Sequence, residues 1–220
     1  MKNIGEYIDQ TILKPDATKE DILHFLSGFC KYRFFAAVVN PCWVPLVKAQ
    51  LSHEVKLCSV VGFPLGASST KTKVCAAEDL VQQGCHEIDM VLNIGKLREK
   101  DYKYVAKEIK SVSEVCQGKV LKVIIETCLL EKQEKVAATH IIKESGAQFV
   151  KTSTGFGREG AKIEDVRLLR TTVGPDFGVK ASGGIKTYVQ ALQFIEAGAN
   201  RLGTSSGVQI MEQAQKSKSC

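Results

Sequence analysis

The sequence has no long apolar run, no CxxC pair, no HExxH motif and no block of like charges. Each absence sets aside a class of protein. A membrane helix needs roughly 18 consecutive apolar residues, and nothing here approaches that, so no membrane partner is expected. The opening MKNIGEYIDQ lacks the apolar core of a secretory signal, so a cytoplasmic location is expected. Eight cysteines (30, 42, 58, 75, 85, 116, 128 and 220) are scattered without pairing. A chain of this length needs no disulfide staples, and they are expected to be free thiols, mostly small core residues. The four histidines show no ligand spacing, and Cys85–His86 alone offers too few ligands for a tetrahedral site, so no metal is expected. Thirty basic residues against 24 acidic give a net charge of +6. The densest basic stretch, KLREKDYKYVAKEIK (96–110), interleaves acids and reads as one solvated helix face. With no exposed aromatic platform beside it, no nucleic-acid partner is expected.

What the chain does have is alternation. Short β-rich runs occur at 10–13, 35–40, 55–61, 87–93, 120–126, 147–151, 177–182 and 200–204. Amphipathic stretches with apolar spacing near 3.6 lie between them, at 19–32, 71–84, 131–146 and 187–198, the last three ending on glycines suited to helix C-caps. Strands alternating with helices over 220 residues predict an α/β chain: a (β/α)8 TIM barrel, in a single domain spanning 1–220. A doubly wound open sheet is the competing architecture. Against it, no GxGxxG follows the first strand, and no break in composition divides the chain.

In a barrel the carboxyl ends of the strands carry the chemistry. FVKTSTGFG (149–157) and FGVKASGG (177–184) each finish an apolar run on a lysine. Lys151 and Lys180, one βαβ unit apart, are expected at equivalent places on neighbouring strands, near their ends, with their amines close together. A free lysine amine is almost wholly protonated at neutral pH. A second cation and partial desolvation disfavour that form and release a nucleophile. Asp89, in the otherwise apolar run EIDMVLN and also expected at or near a strand end, could then accept or donate protons through water. A lone lysine at a strand end usually snorkels into solvent, and a lone aspartate usually serves a structural ion pair. Spacing alone leaves both readings open. Glycine-rich loops follow the last strands, SGG (182–184) and GTSSG (203–207), with TSTG (152–155) beside them. Such loops hold phosphate on backbone N–H groups in many barrels, so a small phosphorylated substrate is expected.

Taken together, VVNPCWV, VVGFPLGASSTKTKV, EIDMVLNIG, LKVIIETCLL, FVKTSTGFG, VKASGGIKT and AGANRLGTSSG resemble deoxyribose-phosphate aldolases, in order from residue 38 to 207. The resemblance implies a class I aldolase that reversibly cleaves 2-deoxy-D-ribose 5-phosphate to D-glyceraldehyde 3-phosphate and acetaldehyde, without a cofactor. It implies that Lys151 forms the Schiff base and that Lys180 and Asp89 handle proton transfer. It further implies that Gly155, Gly183, Gly184, Ser205 and Ser206 surround the phosphate, and that Asp9 and Lys122 line the same pocket. Barrels of this size often pair through helix faces, so a homodimer or homotetramer is expected. Three departures stand out: Val38 where many relatives carry cysteine, Arg158–Glu159 where small residues are usual, and a KSKSC tail without a terminal tyrosine.

Overall fold

Period-two alternation along each strand decides which side chains enter the barrel and which meet the helices. The structure is a computed structural model describing residues 3–217; Met1, Lys2 and the last three residues of the KSKSC tail, Cys220 included, lie outside the described residues. The strands are β1 (Ile8–Ile12), β2 (Ala36–Val39), β3 (Lys56–Val61), β4 (Glu87–Val91), β5 (Val120–Ile124), β6 (Phe149–Lys151), β7 (Gly178–Ser182) and β8 (Arg201–Thr204). All neighbours are parallel, and β8 pairs with β1 to close the barrel. The helices are α1 (Lys19–Lys31), α2 (Val44–Gln50), α3 (Thr70–Gln82), α4 (Ile94–Arg98), α5 (Tyr102–Val115), α6 (Lys132–Glu144), α7 (Ile163–Val173), α8 (Tyr188–Glu196) and α9 (Gly207–Lys216). Among the described residues no helix is long and apolar enough to cross a membrane.

The barrel is the expected one, with boundaries adjusted. The first strand starts two residues earlier than the QTIL run and so takes in Asp9. A 3-10 turn over Ile4–Tyr7, whose Gly5 N–H is held by Asn3 Oδ1 at 3.2 Å, delivers the chain straight into it. Gly84, Gly146 and Gly198 follow their helices with φ of 98°, 88° and 108°, the left-handed backbone expected of C-cap glycines.

Outward-facing Ile8, Val39, Leu57, Ile88, Met90, Val123, Val150 and Leu202 belong to the main apolar core, between strands and helices. On one side of the barrel interior Val38, Cys58 and Val60 pack with Leu13 and Phe63. Elsewhere the interior buries Asp9, Glu87, Asp89, Lys122, Lys151, Lys180 and Arg201, a set of charges that burial alone would never favour.

Two expectations need correction. The 96–110 run is not one solvated face. Lys100 turns the chain at φ 63° between α4 and α5, and Asp101 Oδ1 caps α5 by accepting the Tyr104 N–H at 3.2 Å. Glu108 from that run is fully buried, paired at 2.9 Å with the equally buried Lys73 of α3. Lys73 Nζ also donates to Val91 O at 2.9 Å, and Glu108 Oε2 accepts the Asn93 N–H at 3.0 Å, so the pair ties two helices to the end of β4. Glu108→Gln leaves the Lys73 ammonium buried without its counter-charge and is expected to cost about 3 kcal/mol. Urea unfolding checks this, and a variant as stable as the parent refutes it. The second correction concerns the thiols: Cys58, Cys85 and Cys116 are buried, but Cys30, Cys42 and Cys75 are exposed and Cys128 is half-buried. The exposed three lie on or beside helices, on faces turned from the core. Cys85 and His86 do not act together: Cys85 is in the core, while His86 Nδ1 accepts the Leu57 N–H at 3.0 Å.

Candidate active site

Lys151 is the last residue of β6, in register with Lys180 of β7, so the two lysines are neighbours as their spacing predicts. Their depth differs from expectation. Lys180 is the middle residue of β7 and Asp89 the middle residue of β4, so neither lies at a strand end. Both point into the barrel because alternation puts Val179, Ala181, Ile88 and Met90 on the helix side.

Asp89 is the hub. Its Oδ2 accepts from Lys151 Nζ at 2.7 Å and from Lys180 Nζ at 2.8 Å, and its Oδ1 accepts from Lys122 Nζ at 2.9 Å. Lys180 also pairs with Asp9 at 2.5 Å. Lys122 pairs with Glu87 at 2.6 Å. Arg201 completes the chain, reaching Asp9 at 2.8 Å and Glu87 at 3.1 Å. The cations Lys122, Lys151, Lys180 and Arg201 therefore face the carboxylates of Asp9, Glu87 and Asp89, four against three, all buried. A buried surplus of one positive charge is costly, and it is relieved when one lysine gives up its proton.

The geometry says which one. Lys122 and Lys180 each hold two carboxylates, Lys151 only one. Burial pushes the Lys151 amine below the ordinary lysine range; the Lys180 charge adds to this, while Asp89 opposes it. Burial works in the same direction on Lys180, but Asp89 and Asp9 outweigh it and hold that amine above the range. Lys122 is held well above it by the Asp89, Glu87 and Asp9 carboxylates despite burial. Burial favours a protonated Asp89, yet Lys122, Lys151 and Lys180 hold its carboxyl well below the usual range. The site thus contains one weakly held ammonium among firmly held ones.

Lys151 is also the member of the cluster that reaches a cavity. This opening, of ≈ 870 Å³, lies at the carboxyl ends of the strands, where Thr11, Lys151, Ser182 and Gly203 form part of its wall. Gly155, Gly183, Gly184, Ser205 and Ser206 line it too, so the structure brings the expected phosphate loops together above Lys151. Asp9, Asp89, Lys122 and Lys180 lie beneath, touching Lys151 or one another rather than the opening. Asp9 and Lys122 are therefore a layer under the pocket rather than its lining. Gly184 has φ 79°, and a Cβ there would meet nothing within 4 Å, so it borders open space. Gly203 is required by closeness: a Cβ would fall 2.2 Å from Ser182 Oγ and 3.1 Å from Lys180 Cε. The Ser206 N–H is already given to Thr204 Oγ1 at 2.9 Å and the Gly207 N–H to Gln10 Oε1 at 2.9 Å, which fixes the start of α9.

Several participants were not singled out from the sequence. Glu87 sits two residues before Asp89 and Arg201 two before Gly203, so alternation itself was the signal that they face inward. Ser182 Oγ and Ser153 Oγ are buried without a hydrogen-bond partner among the described residues, and Ser182 borders the cavity. Cys58, in register with Val38, lies 3.3 Å from Asp89 Oδ1; burial raises its thiol well above the ordinary range, so it stays protonated and donates. Glu126, in left-handed backbone at φ 51°, accepts the Thr154 N–H at 3.2 Å and its hydroxyl, pinning the loop after Lys151. The unusual Arg158–Glu159 pair makes local contacts: Arg158 donates to Cys128 O at 2.8 Å, and Glu159 pairs with Lys162 at 2.8 Å.

The DeoC/LacD family of aldolases matches residues 6–213. A deoxyribose-phosphate aldolase from Thermococcus kodakarensis is 56% identical over 97% of this chain and 97% of its own. Among solved structures, the aldolase QR15 superposes with a TM-score of 0.95 at 39% identity, covering 99% of this chain and 98% of that one. The tetrameric deoxyribose phosphate aldolase of Aeropyrum pernix superposes with a TM-score of 0.89 at 32% identity, covering 96% and 91%. With a closed parallel barrel, a lysine held by a single carboxylate at the floor of its mouth and full-length similarity of this kind, the chain belongs to the DeoC/LacD family of aldolases.

Proposed function

We propose that this chain is a class I deoxyribose-phosphate aldolase of the cytoplasm, reversibly cleaving 2-deoxy-D-ribose 5-phosphate to D-glyceraldehyde 3-phosphate and acetaldehyde through an imine on Lys151. The observation that carries the reading is the surplus cation: four buried positive groups share three carboxylates, and the least-held of the four alone borders the cavity.

The steps follow from the residues. Neutral Lys151 Nζ adds to the aldehyde carbon of the open-chain sugar, and the resulting carbinolamine takes up a proton and loses water to leave a protonated imine. That iminium draws in the electrons of the C2–C3 bond once the C3 hydroxyl gives up its proton. D-glyceraldehyde 3-phosphate departs, leaving an enamine on Lys151. Protonation of its carbon regenerates an iminium, and water releases acetaldehyde. Lys180 keeps its proton and suits an acid or a polarising charge; Asp89, held ionised between Lys151 and Lys180, suits a relay of protons. Ser182 Oγ offers an unengaged hydroxyl to a substrate oxygen. The phosphate sits at the other end of the cavity, against Gly155, Gly183, Gly184 and the Ser205–Ser206 turn at the start of α9. The same reading includes a homodimer or homotetramer, supported by the tetrameric relative from Aeropyrum pernix.

The phosphate end is tested with Gly184→Val. The side chain enters open space at a backbone angle that β-branched residues resist, so the loop must shift away from the anion. KM for deoxyribose 5-phosphate is expected to rise at least about tenfold, with a much smaller change for unphosphorylated deoxyribose. Equal effects on both substrates refute the assignment.

A further inference from the structure

Arg201 and Glu87 lie at the amino ends of β8 and β4, below the cavity and not among its lining residues. The Arg201 guanidinium lies 3.1 Å from the centre of the Phe35 ring and 5.6 Å from that of Phe149. Its two arms hold Asp9 and Glu87, and each of these carboxylates also holds a lysine: Lys180 on Asp9, Lys122 on Glu87. Those two lysines in turn share Asp89 with Lys151. The ion pairs therefore form a closed loop through Arg201, with Lys151 hanging from it at Asp89.

We infer that Arg201 and Glu87 are positioning residues for the proposed aldol reaction: as the far charges of this loop, they determine how much of Asp89 is left for Lys151, and so whether its amine is free to attack. The inference rests on Lys151 being the imine-forming residue.

The titratable groups buried in the barrel with Lys151 are Asp9 of β1, the Cys58 thiol of β3, Glu87 and Asp89 of β4, Lys122 of β5, Lys180 of β7 and Arg201 of β8, while β2 supplies only apolar side chains. Consider the loop without Arg201. Asp9 then turns wholly to Lys180 and Glu87 wholly to Lys122, so both lysines lean less on Asp89. Asp89 is left to Lys151, and the cluster holds three cations against three carboxylates, with no surplus to shed. Lys151 keeps its proton. Consider it next without Glu87. Lys122 has Asp89 alone, and Arg201 draws on Asp9, so Lys180 also leans harder on Asp89. Lys151 competes with two stronger partners in a cluster with a surplus of two, and releases its proton more readily. Direct charge and competition for Asp89 point the same way in each case. A packing role alone makes no such opposite prediction.

The test is the pH dependence of the rate at which acetaldehyde forms a borohydride-trappable imine on Lys151, located by peptide mass. It is measured on the full chain as wild type, Glu87→Gln, Arg201→Met and the double variant. In Arg201→Met the midpoint is expected to move to higher pH, with trapping at neutral pH slower on the order of tenfold. In Glu87→Gln it is expected to move to lower pH. The double variant, having lost one charge of each sign, is expected near the wild-type midpoint. Glu87→Gln keeps the shape of the side chain and decides the matter where Arg201→Met is too unstable to purify. Midpoints that move in the same direction, or a Glu87→Gln midpoint that does not move, overturn the inference. An adduct on wild-type Lys151 with unmoved midpoints overturns it alone; no adduct on wild-type Lys151 overturns the reaction as well.

Discussion

Lys151→Arg is expected to lower kcat/KM for deoxyribose 5-phosphate cleavage by on the order of 10⁴-fold or more, with the fold intact. Arginine retains a positive charge beside Asp89, so the ion-pair cluster keeps its partners. It cannot shed its proton at any pH the protein tolerates, so the surplus charge becomes permanent and no lone pair is available to add to an aldehyde. The loss therefore falls on the covalent step, and raising the pH does not rescue it. Steady-state kinetics on folded protein, checked by circular dichroism, read the effect. A variant retaining a tenth of wild-type activity would assign the nucleophile elsewhere.

Lys180→Met is expected to cost about 10³-fold at neutral pH, for two superimposed reasons. Removing the ammonium deprives Asp89 Oδ2 of one of its two donors, so the carboxylate turns to Lys151. It also takes away a like charge that helped push the Lys151 proton off. Both changes raise the pH at which Lys151 becomes neutral. The sign is unambiguous: the imine-forming step is slower at neutral pH and recovers as pH rises. The second defect, loss of a proton donor, does not recover. Burial remains the largest influence on Lys151, and it is unchanged in the variant, so the shift is partial. The rate of imine trapping as a function of pH separates the two. An unchanged profile with depressed turnover would leave Lys180 only the proton-donor role.

Much of the barrel was legible because strands and helices have different periods, and the runs around EIDMV, LKVII and FVK kept theirs without interruption. The same alternation made Lys151 and Lys180 visible as charged residues in apolar company. It was less informative about depth. Lys180 reads as a strand end, since SGG follows so soon, yet two more residues of β7 cover it. Glu87 and Arg201 escaped notice because a charged residue at the start of a strand ordinarily meets solvent. Their partners are not local: Arg201 reaches Asp9 across 192 residues and Glu87 across 114. No spacing rule joins such positions; only closure of β8 onto β1 does. Glu108 was misread for a related reason, since the helix face it occupies became interior once α3 packed against α5.

The most direct test of the central claim is reduction of the protein with borohydride in the presence of acetaldehyde, followed by mass spectrometry of its peptides. The expected result is one ethyl group, dependent on acetaldehyde, on the peptide that contains Lys151, with Lys122 and Lys180 unmodified. They are held charged by two carboxylates each, as Lys151 is not. Modification of Lys180 or Lys122 in place of Lys151, or no adduct at all in a preparation that cleaves deoxyribose 5-phosphate, would contradict it.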